Sequence, residues 1–175
     1  MFITKKSIIG IIKLAGIIST ESRLGSRGGL NLNDLSDSIT KAFSFKNMKA
    51  IVLLVNSPGG SPVQSALIAN RIRDLAKEKE IPVYCFIEDL AASGGYWLSC
   101  AGDKIYAMES SIIGSIGVIT SGFGAVEAIK KIGIERRVYS QGKNKGLLDP
   151  FLPEKKDDVK QILTIQKDLH TQFIA

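Results

Sequence analysis

A chain of 175 residues with 45% hydrophobic content can bury a real core, and it reads as one soluble α/β domain over residues 1–175. Its net charge of +6 is modest and spread along the chain, which disfavours nucleic acid and leaves weak, peripheral attraction to anionic lipid headgroups open. With one histidine and two cysteines no metal site of standard spacing appears, and Cys85 and Cys100, in apolar stretches, are expected to be buried free thiols that favour a reducing compartment.

Lys5-Lys6 ahead of Ile8-Ile9-Gly10-Ile11-Ile12 imitates the basic and apolar parts of a signal peptide. Lys13 interrupts that run, no small-residue cleavage site follows, and nothing reaches spanning length. Residues 8–18 are therefore read as the first core strand. No signal peptide or transmembrane helix is expected, which places the chain in the cytoplasm or peripheral to the inner membrane. A helix is predicted over 32–42, with Asn31 or Asn33 able to cap it ahead of Leu35 and Ile39.

Residues 49–55, Lys-Ala-Ile-Val-Leu-Leu-Val, form an apolar, β-branched run suited to a strand (50–55) buried on both faces. It stops at Asn56-Ser57-Pro58-Gly59-Gly60-Ser61, and a helical pattern over 62–78 starts at once. Pro58 removes one donor, and paired glycines permit backbone angles closed to other residues. Such a corner can present free N–H groups to an anion or a carbonyl oxygen; it can equally be an ordinary turn with Ser61 as helix cap.

A third strand, 82–87, leads to Asp89-Leu90-Ala91-Ala92-Ser93-Gly94-Gly95-Tyr96-Trp97 and a helix over 93–100. Small neighbours let a peptide backbone approach the Ser93 hydroxyl, and a helix start brings amide hydrogens beside it. A nucleophile and a developing oxyanion want that environment. The alternative is a small-residue helix start in which Ser93 is merely the cap. Further strands are predicted over 104–107, 117–120 and 135–139, and helices over 124–132 and 155–173. Strands alternating with helices favour a largely parallel sheet.

A serine needs a proton acceptor. His170 lies on the last helix, near an apolar stripe of Val159, Ile162, Ile165, Leu169 and Phe173, where a surface or packing role fits better than a triad. A lysine serves if its surroundings lower its pKa from about 10.4 towards neutrality, at roughly 4 kcal/mol for a shift of about three units. Lys143 and Lys145 lie in the loop Tyr139-Ser140-Gln141-Gly142-Lys143-Asn144-Lys145-Gly146-Leu147-Leu148-Asp149-Pro150, where either reads in isolation as a solvated charge.

Taken together, Asn56-Ser57-Pro58-Gly59-Gly60, Ala91-Ala92-Ser93-Gly94-Gly95-Tyr96, Gly114-Ser115-Ile116-Gly117-Val118 and the Gly-x-x-Lys from Gly142 to Lys145 resemble the signal peptide peptidase A (protease IV) family of Ser-Lys peptidases, including its SohB-like members. The resemblance runs from about Ile8 to the end of the chain. It implies the ClpP/crotonase fold, a spiral of ββα units. It implies Ser93 as nucleophile and Lys145 as general base, with Lys143 a bystander. The backbone N–H of Gly94 and one from the Gly59-Gly60 pair, Gly60 by preference, would hold the oxyanion, with Ser57 and Ser115 as hydrogen-bonding neighbours. No cofactor is implied. The substrates would be short apolar peptides such as cleaved signal peptides or membrane-derived segments, and the enzyme a homo-oligomer in which serine and lysine can come from different subunits. In the family the domain continues through a further helix and strands beyond the point where this chain ends, so a domain lacking that C-terminal part is expected. Two other readings share the fold: an inactive peptide-binding or assembly subunit, and a crotonase-type acyl-CoA enzyme, which has no use for the Ser93–Lys145 pair.

Overall fold

The computed structural model describes residues 6–20, 29–142 and 144–175. The chain forms two compact units, Met1–Ile116 and Gly117–Ala175.

The first unit alternates strand and helix: β1 (Ile8–Ala15), α1 (Leu32–Ser44), β2 (Met48–Ser57), α2 (Pro62–Lys79), β3 (Val83–Ala92), α3 (Gly94–Ser99), β4 (Lys104–Tyr106) and β5 (Ile112–Gly114). The strands pair in parallel in the order β1-β2-β3-β4, and β5 pairs with the last residues of β3. Parallel neighbours need a crossover, and the helices supply it. The expected α/β class and largely parallel sheet are therefore present.

Local chemistry sets the element ends. Asn31 caps α1 by accepting the N–H of Asp34 at 2.9 Å, while Ser61 caps α2 with Pro62 at its first position. Gly16, at φ +107°, ends β1 earlier than expected, and Ile18 beyond it makes single bridges to Leu30 and Gly60. The core lies between the sheet and its helices: Ile12, Leu14, Ile51, Leu53, Val55, Val83, Cys85 and Ile87 meet Ile39, Phe43, Ile68, Ile72, Leu75 and Leu98. β2 was expected to be buried on both faces, but only one face is; Val52 and Leu54, pointing the other way, are half-buried. Neighbouring outward residues Ile9 and Ile11 on β1 are exposed, so among the described residues of the first unit that face lacks the cover a doubly wound parallel sheet has.

The second unit holds α4 (Val126–Lys131) and α5 (Lys156–Ile174). The strands predicted over 117–120 and 135–139 do not form. β-branched residues favour a pleated, half-buried surface, but a strand exists only where another takes its backbone groups. Here Ile119 and Tyr139 are 86% and 93% exposed. The short strand β5 escaped sequence reading altogether. On α5, Val159, Ile162, Leu169 and Phe173 are half-buried, Ile165 is exposed, and so is His170.

The thiols also divide. Cys85 is fully buried on β3, and that burial pushes its pKa up to about 11. Cys100, expected to be buried too, is exposed. Leu98, Ser99 and Ala101 face inward where α3 ends, and the turn there leaves Cys100 pointing out.

Asp103 ties the start of β3 to the turn before β4. Its carboxylate accepts the N–H of Val83 at 2.7 Å and the Arg73 guanidinium at 2.8 Å. The Val83 N–H, helped by Arg73, holds the carboxyl below its ordinary range against the opposing effect of burial. A lowered folded pKa contributes stability above the unfolded value of about 3.9, and that contribution is lost as pH falls through the folded value. Asp103→Asn should therefore lower the melting temperature at pH 7, and the gap from wild type should narrow as melting is followed below about pH 4.

Candidate active site

The site candidates lie where β2 and β3 end, on the edge at which ligands sit in open parallel sheets. Val55 pairs with Ile87 and Ser57 with Ala91, so β3 spends four residues where β2 spends two. Such an irregularity re-aims a strand end. Asn56 Nδ2 donates to Asp89 Oδ2 at 2.7 Å across it, joining the two strands where they diverge from register.

Beyond β3 the chain turns at Ser93, which adopts φ 52° and ψ −124°. A serine in this region costs on the order of 1–3 kcal/mol and persists only where its neighbours over-determine it. The Ser93 N–H donates to Gly114 O at 2.9 Å, and the Ser93 carbonyl accepts the Trp97 N–H at 3.1 Å. Ser93 makes no side-chain cap, so the capping alternative fails; it is half-buried, and its Oγ has no hydrogen-bond partner among the described residues. A strained serine with a free hydroxyl at a strand-to-helix turn is how a nucleophile is presented.

The β2–α2 corner packs directly against this turn. A Cβ on Gly59 would lie 2.7 Å from Ala92 O and from Gly94 N, and 2.9 Å from Ser93 Cβ. One on Gly60 would strike the Ile18 carbonyl, one on Gly94 the Ser65 hydroxyl, and one on Gly95 the Ser57 carbonyl. Gly59 and Gly60 also sit at φ +94° and +144°, where other residues are strained. The glycines are required by close backbone approach.

The amides then sort themselves. Gly59 N–H donates to Ser57 Oγ at 3.1 Å, and Ser61 N–H donates to Ile18 O at 2.9 Å. Gly60 N–H and Gly94 N–H have no acceptor among the described residues. The Gly60 nitrogen is 3.4 Å from the point a Gly94 Cβ would occupy, so the two free amides are close neighbours. With α3 only six residues long, these two donors, more than a helix dipole, would stabilise an oxyanion.

Ser57 is fully buried, and its hydroxyl donates to Gly16 O at 2.6 Å. Ser115, at φ 55° just past β5, is exposed and follows the Gly114 carbonyl that holds Ser93. Sequence reading quoted Asn56, Asp89 and Gly114 within its motifs but gave them no role, and it did not single out Ser65. Ile112-Ile113 ahead of Gly114 is a β-branched run too short to stand out as the strand that places the Gly114 carbonyl.

Lys145 belongs to the second unit, so the first unit carries the nucleophile and donor candidates without the base candidate. Lys145 is exposed, and its N–H donates to Gly142 O at 3.3 Å in a turn that places Gly142 at φ +100°. Lys143 lies outside the described residues. Asp149 anchors the end of the loop: it takes the Phe151 N–H at 3.0 Å and Arg136 at 3.1 Å, contacts that hold its carboxyl below the usual range.

Residues 75–175 match the model of peptidase family S49. The chain is 34% identical over 172 residues to a putative signal peptide peptidase SppA of Enterococcus faecium, covering 98% of this chain and 48% of that one. It is 35% identical over 152 residues to the chloroplastic serine protease SPPA of Arabidopsis thaliana, covering 83% and 22%. It is also 49% identical over 166 residues to a Brucella melitensis protein named a Na(+)/H(+) antiporter, NhaA, of which the match covers 22%. The chain thus spans about half of the Enterococcus protein and about a fifth of the other two. Among its described residues no helix is long and apolar enough to cross a membrane.

Because Ser93 is held at φ 52°, Ser93→Gly should fold with stability equal to wild type or up to about 1 kcal/mol higher, since glycine adopts that conformation freely. Gly60→Ala, which forces a methyl into the Ile18 carbonyl, should cost at least about 2 kcal/mol. Urea unfolding of both variants, followed by circular dichroism, checks the contrast.

Proposed function

This chain belongs to peptidase family S49, a family of serine peptidases with the ClpP-like α/β fold, and we propose that it hydrolyses peptide bonds with Ser93 as nucleophile and Lys145 as general base. The observation that carries this reading is the Ser93 turn. Among the described residues, an unpartnered hydroxyl, held in a strained conformation, stands beside two unpartnered glycine amides.

The chemistry follows in order. The free amine of Lys145 takes the proton from Ser93 Oγ as that oxygen attacks the peptide carbonyl. The tetrahedral oxyanion accepts hydrogen bonds from the N–H groups of Gly60 and Gly94. Lys145 passes its proton to the departing amine, leaving an acyl-serine. Water then attacks the ester as Lys145 takes its proton, and Lys145 returns that proton to Ser93 Oγ as the second tetrahedral intermediate collapses and releases the carboxylic acid. Removing one such donor typically costs about 10²–10³ in rate.

A lysine works as a base only as its free amine, which low-polarity surroundings favour. Lys145 is exposed in this chain, so the reading includes a cover supplied by assembly with further copies or by the bound peptide. Short apolar peptides, such as cleaved signal peptides, suit both requirements as substrates: their apolar stretch brings no charge to the reacting groups and excludes water from them.

Labelling with a fluorophosphonate probe, followed by peptide mapping, tests the dyad. The expected result is modification at Ser93 alone, abolished in Ser93→Ala, reduced at least about 10²-fold in Lys145→Ala and unchanged in Lys143→Ala. Undiminished labelling of folded Lys145→Ala would overturn the base assignment, and labelling that survives Ser93→Ala would overturn the nucleophile.

A further inference from the structure

The loop between β2 and α2 offers few amides. Pro58 has none, and Ser61 N–H is committed to Ile18 O at 2.9 Å. The choice between Gly59 and Gly60 is made by one side chain. Ser57 Oγ donates to Gly16 O at 2.6 Å, and that bond directs the oxygen's lone pairs to the Gly59 N–H at 3.1 Å. We propose that Ser57 is the positioning residue that turns Gly59 N–H inward and leaves Gly60 N–H as the loop's oxyanion donor. This rests on the catalytic reading of Ser93.

Three features give Ser57 that leverage. It is wholly buried, so water cannot stand in for its hydroxyl. It is the last residue of β2, paired with Ala91 two residues before Ser93, so its position is fixed relative to the nucleophile. Its hydroxyl joins two chain reversals, the exit from β1 at Gly16 and the Gly59-Gly60 corner, which are also linked by Ile18 N–H to Gly59 O at 2.9 Å. Losing the hydroxyl frees the Gly59 amide and removes the tether that fixes the plane of the peptide units on either side of Gly59. The Gly60 amide then points at the oxyanion position for only part of the time.

A buried serine with two hydrogen bonds is also a plain structural feature, and the test separates the two. Ser57→Ala deletes one oxygen and adds no bulk. In the folded variant the fluorophosphonate labelling rate should fall about 10–10²-fold. Affinity for a peptide aldehyde, which forms an oxyanion on Ser93, should fall by the same factor. Affinity for the same peptide ending in a carboxylate should stay within about twofold, because that ligand makes no tetrahedral adduct. Ser57→Thr, which keeps the hydroxyl, should restore labelling to within a few-fold of wild type and serves as the decisive variant if Ser57→Ala does not fold. Labelling of Ser57→Ala at the wild-type rate, or equal weakening of both peptides, would overturn the positioning role while leaving Ser93 in place. A wild-type chain that does not label at all would overturn the catalytic reading and this role together.

Discussion

The structure depends on two backbones meeting at van der Waals contact. The corner after β2 and the turn after β3 approach so closely that Gly59 and Gly95 have no room for a side chain, while the Ile18 carbonyl and the Ser65 hydroxyl crowd Gly60 and Gly94 in the same way. Parallel pairing brings this about, because adjacent parallel strands end at the same edge of the sheet and their following turns must share that edge. Elsewhere such crowding would be relieved by an ordinary β-carbon on one side. Here it is kept, and two glycine amides beside a serine hydroxyl are left unpaired among the described residues.

Ordinary pairing would not bring the turns into this relation. β3 has two residues more than β2 between their last ladder contacts, and the Asn56–Asp89 bond spans that irregularity. The extra length lets β3 run on past the end of β2's regular ladder and pick up β5, whose Gly114 carbonyl takes the Ser93 N–H. A strand of three residues thereby helps fix the conformation of the candidate nucleophile. The sheet is more than a platform, since its register error sets where Ser93 stands.

Sequence reading recovered what local chemistry dictates. The caps at Asn31 and Ser61 and the alternation of 62–79 with the strands on either side were legible because propensity, pattern and burial agree there. The Gly59-Gly60 and Ser93-Gly94 turns, each open to an ordinary turn or cap when read alone, were legible only together with the other motifs, through the family those motifs resemble. What failed depended on partners that sequence does not display. Residues 117–120 and 135–139 have strand composition but pair with no strand among the described residues, while Ile112–Gly114 has little signal and finds a partner in β3. Cys100 looked buried because its neighbours are, but one residue of a turn can face out while those beside it face in. The commitment of Gly59 N–H to Ser57 was equally invisible, since either glycine satisfies the pattern.

The strain at Ser93 bears on which reading of the turn is sound. A capping residue ordinarily sits in the β region, where its side chain reaches the second or third amide of the helix at no conformational cost. Ser93 instead adopts φ 52° and makes no such bond. A domain's net stability is only about 5–15 kcal/mol, so a cost of on the order of 1–3 kcal/mol with no local return is a substantial fraction of it. The Ser93–Gly114 hydrogen bond and the packing of Gly94 and Gly95 against Ser65 and Ser57 keep the turn from relaxing. Those contacts hold the hydroxyl away from the helix amides that would otherwise capture it. A serine kept from capping its own helix is a serine whose oxygen is available to something else.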